Sequence, residues 1–299
     1  NVNAKLNGTI NLANVSKAYP IKLEVPLSGV LKADIATVFD MDAIEKNQYE
    51  RIQNTGNISV VGFKYVGDDK KTFNINQAVA QFSNTKIDLK KLDMTTGKSD
   101  IQVNGSLENF YGFLLRDQAL RGTFNMNSKQ LLVADFMTTS EVTAKTESKE
   151  VAKTTTSSEV MKVPKNFDIV LNANAQSVIY DNLNLKNVSG KLVIKDEAIS
   201  LKNVKTSIFN GLITADGNVS TKGAKPTFDM NLGMNAVDIT QTFTQLDMLK
   251  KIAPIAGIIT GNLNSTIKLS GNLDPKEMTP DLNTLTGDLL GSFLSPSIN

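Results

Sequence analysis

The chain has 299 residues, 40% of them hydrophobic, and a formal net charge of +2, which is enough for one large all-β domain or two average ones. It contains no Cys and no His, so disulfides, thiolate sites, Ser-His-acid triads, thiol proteases and zinc hydrolases are excluded. The near-neutral balance includes no basic block with interleaved aromatics, so nucleic acid is not an expected partner.

Abundant Thr, Asn and β-branched residues favour strands and turns, and no apolar run approaches the ~18 residues of a membrane span. The chain does not begin with Met and shows no secretory pattern; the expectation is a piece of a longer protein whose targeting or anchoring segment lies elsewhere. Residues 1–35 read as strands with turns near Asn7-Gly8 and Tyr19-Pro20. Asp40–Ile52 reads as a helix capped by Asp40, with Met41, Ile44, Gln48 and Ile52 on one face and Thr55-Gly56 ending it. Residues 57–136 return to short alternating runs, with Glu108–Arg116 of ambiguous type. Residues 138–165, rich in Thr, Ser, Lys and Glu, bury too little to offset their ordering entropy and read as a flexible loop, with a phosphorylated or partner-binding tail as the minor alternative. Strands resume at Phe167, and Asn210-Gly211 is a hairpin signal. Asp238–Ala256 reads as the clearest helix, with Phe243, Leu246, Leu249 and Ile252 as an apolar stripe and Pro254 kinking or ending it. The expected organisation is 1–137 as β repeats with one helix, 138–165 as the loop, and 166–299 as a second β region with one helix.

A repeat of about a hundred residues runs through this pattern. Ile87–Asn109 lies over Ile199–Thr221 without a gap, matching Ile87, Leu89, Lys90, Ile101 and Gly105 to Ile199, Leu201, Lys202, Ile213 and Gly217. The segment around Gly8 repeats the same ending, and Gly56-Asn57-Ile58 matches Gly261-Asn262-Leu263 after each expected helix. Asp34-Ile35 with Phe39, Asp135-Phe136, and Asp238-Ile239 with Phe243 offer a second marker. Such a period implies an array of similar sheet units. Each recurring glycine is open to two readings, a hairpin turn or a bulge within a continuing strand; the alternation on both sides favours the bulge, which would curve the sheet.

Chemistry-bearing constellations do not emerge. Asp68-Asp69, Asp40/Asp42 and Asp196-Glu197 are adjacent acids in polar turns without EF-hand spacing, and solvated charge is the simplest reading. Tyr180-Asp181-Asn182 reads as a turn. There is no G-x-S-x-G elbow and no phosphate loop. No catalytic residue, metal ligand or cofactor is expected, and the chain does not read as an enzyme. The helix stripe from Phe243 to Ile252 packs on a sheet face, or alternatively forms a lid over an apolar groove or an interfacial membrane helix.

The segments Val163–Ala173, Val178–Gly217, Ile252–Gly257, Gly261–Pro275 and Met278–Gly287 occur in an order that resembles the C-terminal region of AsmA-family envelope proteins, especially the large Bacteroidetes versions. Residues 1–136 are similar to the preceding repeats of that family. The resemblance implies a mainly β fold: an elongated, curved antiparallel sheet of repeated units, a taco-like groove, with two short amphipathic helices, related in design to TamB-type and bridge-like lipid-transfer proteins. It further implies a periplasmic segment, anchored to the inner membrane in the whole protein, that binds or conducts phospholipid acyl chains between inner and outer membranes. A structural scaffold for outer-membrane biogenesis, working by protein contacts, is the alternative.

A groove is physically reasonable for strands with one aliphatic and one polar face. About thirty acyl methylenes exposed to water would cost roughly 24 kcal/mol, a barrier crossed about once per day. An apolar trough removes most of that cost, and it needs continuity rather than specific contacts. The expected lining is Ile101, Val103, Leu171, Ala173, Ile213, Ala215, Ile267 and Leu269, with an acidic residue at Ile213 expected to weaken lipid binding without unfolding the sheet.

Overall fold

The computed structural model describes residues 2–14, 28–46, 48, 51–67, 71–83, 85–136, 162–245, 259–276 and 278–298. The strands are β1 (Val2–Asn11), β2 (Val30–Phe39), β3 (Gln53–Val66), β4 (Thr72–Phe82), β5 (Lys86–Thr96), β6 (Ser99–Glu108), β7 (Leu120–Leu132), β8 (Phe167–Tyr180), β9 (Leu183–Lys195), β10 (Ala198–Ile208), β11 (Gly211–Ser220), β12 (Thr227–Asp238), β13 (Ile259–Asn272) and β14 (Thr286–Ile298). They form one curved, unclosed 14-stranded sheet in strict chain order. Period-two alternation dictates this: each strand has a single apolar face, and meandering keeps all those faces on the same side.

Every neighbouring pair is antiparallel except β7 and β8, which run parallel. The sheet is therefore mixed, and the exception falls at the polar segment of residues 138–165. Parallel neighbours require a crossover back along the strand. For the 13-residue β7 the return covers about 43 Å at ~3.3 Å per residue, and residues 133–166 make it. Residues 137–161 lie outside the described residues. On its near side the connection starts in a 3-10 turn, Val133–Asp135. On its far side the Val163 N–H donates to Thr221 Oγ1 at 2.9 Å, and Thr221 Oγ1 donates to the Glu197 carbonyl at 3.1 Å.

The parallel joint explains how the repeat keeps its direction. β5–β6 corresponds to β10–β11, five strands further on. An odd number of purely antiparallel steps would invert the second copy; one parallel step restores it. The two copies also share an irregularity. The register passes from Leu89↔Gly105 to Leu92↔Val103 in one and from Leu201↔Gly217 to Val204↔Ala215 in the other. Each is a bulge inside a continuing strand, as the alternation favoured. The extra residue sits in the strand opposite the glycine, at Lys90-Lys91 or Lys202-Asn203, rather than at the glycine itself. The second marker does not hold together: Asp34 lies inside β2, Asp135 in a 3-10 turn and Asp238 at the end of β12.

Among the described residues three short α-helices punctuate the strands: α1 (Met41–Glu45), α2 (Phe110–Arg116) and α3 (Ile239–Gln245). Asp40 does cap α1, its Oδ1 accepting from the Ala43 N–H at 2.7 Å. The helix nonetheless stops long before Ile52, and Thr55-Gly56 belongs to β3. Gly56, with φ 138, sits so close to β2 that a Cβ would lie 2.0 Å from the Asp34 carbonyl. The ambiguous stretch from Glu108 becomes α2, bracketed by left-handed Asn109 and Asp117. The hairpin at Asn210-Gly211 forms one residue earlier than its sequence signal. Phe209 and Asn210 are the two left-handed turn residues and Gly211 pairs with Ile208. Phe209 accepts that conformation because it is 4% exposed within the main core. The other acidic and turn segments resolve simply: Asp196-Glu197 and Asp181-Asn182 are hairpin turns, and Asp40 and Asp42 pair with Arg51 and Lys46. Tyr19-Pro20, Asp68-Asp69 and Pro254 lie outside the described residues.

Candidate functional site

Following the register from strand to strand shows what the single sheet has assembled. One row passes through Ile10, Leu31, Val60, Ala78, Leu92, Val103, Met126, Ala173 and Gly190. It crosses the β10 bulge, where a Cβ on Gly190 would touch Val204. It then continues through Val204, Ala215, Leu232, Ile267 and Leu289. The row crosses all fourteen strands and contains no polar side chain.

Two residues along each strand, and three across the bulges of β5 and β10, a second row does the same: Gly8, Ala33, Ile58, Ala80, Leu89, Gly105, Phe124, Leu171, Leu192, Leu201, Gly217, Met230, Leu269 and Gly287. The three glycines that marked the repeat in the sequence, Gly8, Gly105 and Gly217, fall on this one row at five-strand intervals, about 24 Å at ~4.8 Å per strand. A third row, Leu6, Ile35, Gly56, Phe82, Ile87, Leu107, Gly122, Ile169, Ile194, Ile199, Val219, Phe228 and Gly271, spans β1 to β13. Together the rows make an apolar band about 60 Å long across the sheet.

The band has defined borders. On the side toward the β10–β11 turn, the next row contains Ile75, Met94 and Ile101 but then passes Ser128, Thr206 and Ser265. These three are buried and bonded, to Asp100 Oδ1, the Lys186 carbonyl and the Leu290 carbonyl. The opposite face of the sheet is mainly polar, with Val79, Val170 and Val193 among the exceptions. Asn7, Asp34, Asn57, Gln81, Asp88, Ser106 and Thr123 follow one another in register there. Side-chain amides link Asn104, Asn125 and Asn172 across β6, β7 and β8, at 3.2 and 3.0 Å.

All eight expected lining residues lie on the apolar face. Val103, Ala173, Ala215 and Ile267 occupy the first row, Leu171 and Leu269 the second, and Ile101 and Ile213 the bordering row. Their exposure differs. Most of the face is half-buried, with no second layer over it among the described residues, whereas Ile267 is 2% exposed. The cause is α3: Ile239 and Phe243 pack with Met234, Val237, Leu263 and Ile267, together with Ile208 and Phe209, and Ile213 leans on the same cluster. Phe243 is therefore a packing residue. Leu246, Leu249 and Ile252 lie outside the described residues. Because Ile213 borders this core, an acid there also costs stability, and Val103 is the cleaner place to introduce one.

Near the middle of the strand order, between β6 and β7, α2 produces a different arrangement. A hollow of about 660 Å³ is bounded by Ile35, Ile58, Phe82 and Ile87 on the sheet and by Phe110, Tyr111 and Arg116 on α2, with Lys86, Glu108 and Arg121 at the strand ends. Burial pushes the Tyr111 phenol up from its ordinary value. The helix is held by Phe113 against Phe167, ring centroids 5.8 Å apart, and by Asn109 Nδ2, which donates to the Ala119 carbonyl at 2.9 Å. The sequence pattern did not mark this hollow, because its floor comes from four strands and its wall from a segment of ambiguous type.

Charges keep to the polar face and the strand ends. Lys195 is raised by its hydrogen bond and ion pair with Asp168, 2.8 Å away. Lys86 is raised, and Asp88 lowered, by their mutual hydrogen bond. Burial works to raise Asp100, but the N–H groups of Gln130 and Lys129 and the Ser128 hydroxyl outweigh it and hold the carboxyl below its ordinary value. Among the described residues no group of three or more acids is placed to hold a metal ion, and no helix is long and apolar enough to cross a membrane. Compared with known proteins, the chain matches no family model, no curated protein and no solved structure.

Proposed function

We propose that this chain is a lipid-conducting segment, carrying phospholipid acyl chains along the apolar band between the inner and outer membranes of a cell envelope, in the manner of the AsmA-like proteins its sequence resembles. The observation that supports the reading is continuity: rows of side chains without a polar interruption cross every strand and reach the sheet edges at Ile10 and Leu289. A packed domain would cover such a face with a second layer; among the described residues α3 packs on it at β12 and β13 and α2 stands over the hollow. A headgroup tracking along the rim stays in water while its chains stay out of it, which removes most of the transfer barrier set by about 0.8 kcal/mol per methylene. On this reading the segment lies in the periplasm, and a membrane anchor elsewhere in the protein ties it to the inner membrane.

The experiment is site-specific photocrosslinking in cells. A photoreactive residue at Val103 should capture phospholipid, while the same residue at the adjacent, opposite-facing Asn104 should not. Equal capture at both positions, or none at either, overturns the proposal. The scaffold reading draws on one feature, the edge strand β14, where Leu290 is 77% exposed on the face opposite Leu289. Crosslinks confined to protein at Leu290, with none to lipid at Val103, would favour it.

A further inference from the structure

We infer that the two edges of the sheet are halves of one joint: β14 of one chain takes β1 of a second copy as a parallel neighbour, and copies stack head to tail in one continuous sheet, whatever the band carries.

Among the described residues β1 and β14 each pair with a strand on one side only. A long edge is ordinarily blunted by charge, proline or a bulge, and these two are not. β1 has one charged residue, Lys5, and residues 286–294 of β14 have one, Asp288. The irregularity of β14 comes only after that stretch, where the register shifts opposite Thr260 and Asn262 and Ser295 turns left-handed before Pro296. Before it runs a regular edge about as long as β1. Leu289, Leu290, Phe293 and Leu294 are exposed along this edge, and Leu6 and Ile10 along β1.

The glycines register the missing neighbour. Gly105 and Gly217 share a row and a sequence phrase with Gly8, and each is closed by the strand that follows it. A Cβ would lie 2.3 Å from the Thr123 carbonyl in the first and 2.9 Å from the Asp229 carbonyl in the second. At Gly8 it would meet nothing within 4 Å.

Direction and chemistry both fit a second copy. Six antiparallel steps, the parallel joint and six more antiparallel steps leave β1 and β14 running the same way. A copy in the same orientation therefore meets β14 in a parallel pair, as β8 meets β7. That internal joint lies within a row of alternating charge, Lys86, Glu108, Arg121, Asp168 and Lys195, with Arg121 opposite Asp168 across it. Asp288 already has Lys268 opposite it on β13; setting Lys5 of the second copy on its outer side rebuilds the alternation. The same register lays Ala4, Leu6, Gly8 and Ile10 beside Gly287, Leu289, Gly291 and Phe293, so apolar face continues apolar face from copy to copy. Because the joined edges differ, the contact is heterologous and does not close at two copies.

The test is sedimentation velocity of the purified chain over a range of concentrations at low salt. A reversible series extending past the dimer is expected. Lys5→Asp and Asp288→Lys each place like charges across the joint and should weaken association about tenfold. The double variant, and an equimolar mixture of the two single variants, should restore it. Both positions are exposed, and circular dichroism establishes that each variant keeps the sheet. A chain that stays monomeric at every concentration overturns the joint. Association that stops at a dimer and ignores Lys5→Asp overturns the head-to-tail form and assigns the contact to one edge meeting itself. Association indifferent to both reversals, or weakened by each and not recovered in the double variant, overturns the pairing of Lys5 with Asp288. Lipid capture at Val103 tests the path separately and is untouched by any of these outcomes.

Discussion

Single residues show how the sheet is tuned to the band. Gly8 and Gly105 end the same sequence phrase and lie on the same row, yet their surroundings differ. A Cβ at Gly105 would lie 2.3 Å from the Thr123 carbonyl and 2.5 Å from Phe124 Cδ1, whereas at Gly8 it would meet nothing within 4 Å. Gly105→Ala should therefore cost about 1–3 kcal/mol through overpacking. Gly8→Ala should be neutral or stabilising by up to about 1 kcal/mol through the unfolded chain. Urea denaturation of the two variants separates them. Asp100 is the second such residue. Its carboxylate accepts from the Lys129 and Gln130 N–H groups at 3.0 and 2.8 Å, just beyond the Gln102↔Asn127 pair of β6 and β7. Because its folded value is depressed below the ordinary 3.8, its contribution is complete above that pH and is lost as the pH falls through the folded value. Stability should accordingly rise with pH in that acid window. Asp100→Asn should flatten this part of the stability–pH curve, measured by thermal melts below pH 5, and Asp100→Ala should cost about 1–3 kcal/mol at neutral pH.

At the scale of elements, what was legible in the sequence follows from how local each signal is. Alternation needs only a few consecutive residues, so the strands and the apolar side of Val103, Leu171 and Ile267 could be read directly. The glycine phrase around Gly105 and Gly217 likewise carried the repeat and its bulge. Helix lengths could not be read: Asp40–Ile52 keeps helical spacing, but Gln53 already pairs with Val38 in the sheet, and tertiary pairing overrides weak local propensity. The parallel joint was hidden for another reason. A polar segment announces a loop, but nothing in it states to which end of the sheet the chain returns. α3 was recognised, and its effect follows from its contacts. Truncating its anchor, Phe243→Ala, removes a side chain that is 6% exposed from the main core and should cost about 3–5 kcal/mol. The loss should be concentrated at β12 and β13, and hydrogen exchange should show it there first, with β3 to β5 unaffected. Uniform loss of protection would mean that the sheet unfolds as one unit instead of strand by strand.

For the whole molecule the quantity that matters is continuity, which no single contact supplies. A trough and a row of separate binding patches place the same residues in the same positions; they differ in what a break at the middle does. Val204 is suited to make that break, being half-buried on the first row at the β10 bulge, with Gly190 on one side and Ala215 on the other. An aspartate there asks passing methylenes to desolvate a carboxylate, which costs more than the about 1–3 kcal/mol of an unpaired neutral polar group, so passage slows by at least a factor of roughly 5. Lys205→Asp, one residue further along on the polar face, is the control that places an aspartate outside the band. With photoreactive residues at Ala33 and Leu232, on opposite sides of the break, both sites should still capture lipid at equilibrium in Val204→Asp. Capture at the second site after lipid is delivered at the first should slow by that factor. Separate patches predict no such delay, because each would load from solution on its own. A delay in Val204→Asp but not in Lys205→Asp is the outcome that requires one path running through both halves of the sheet and across its parallel joint.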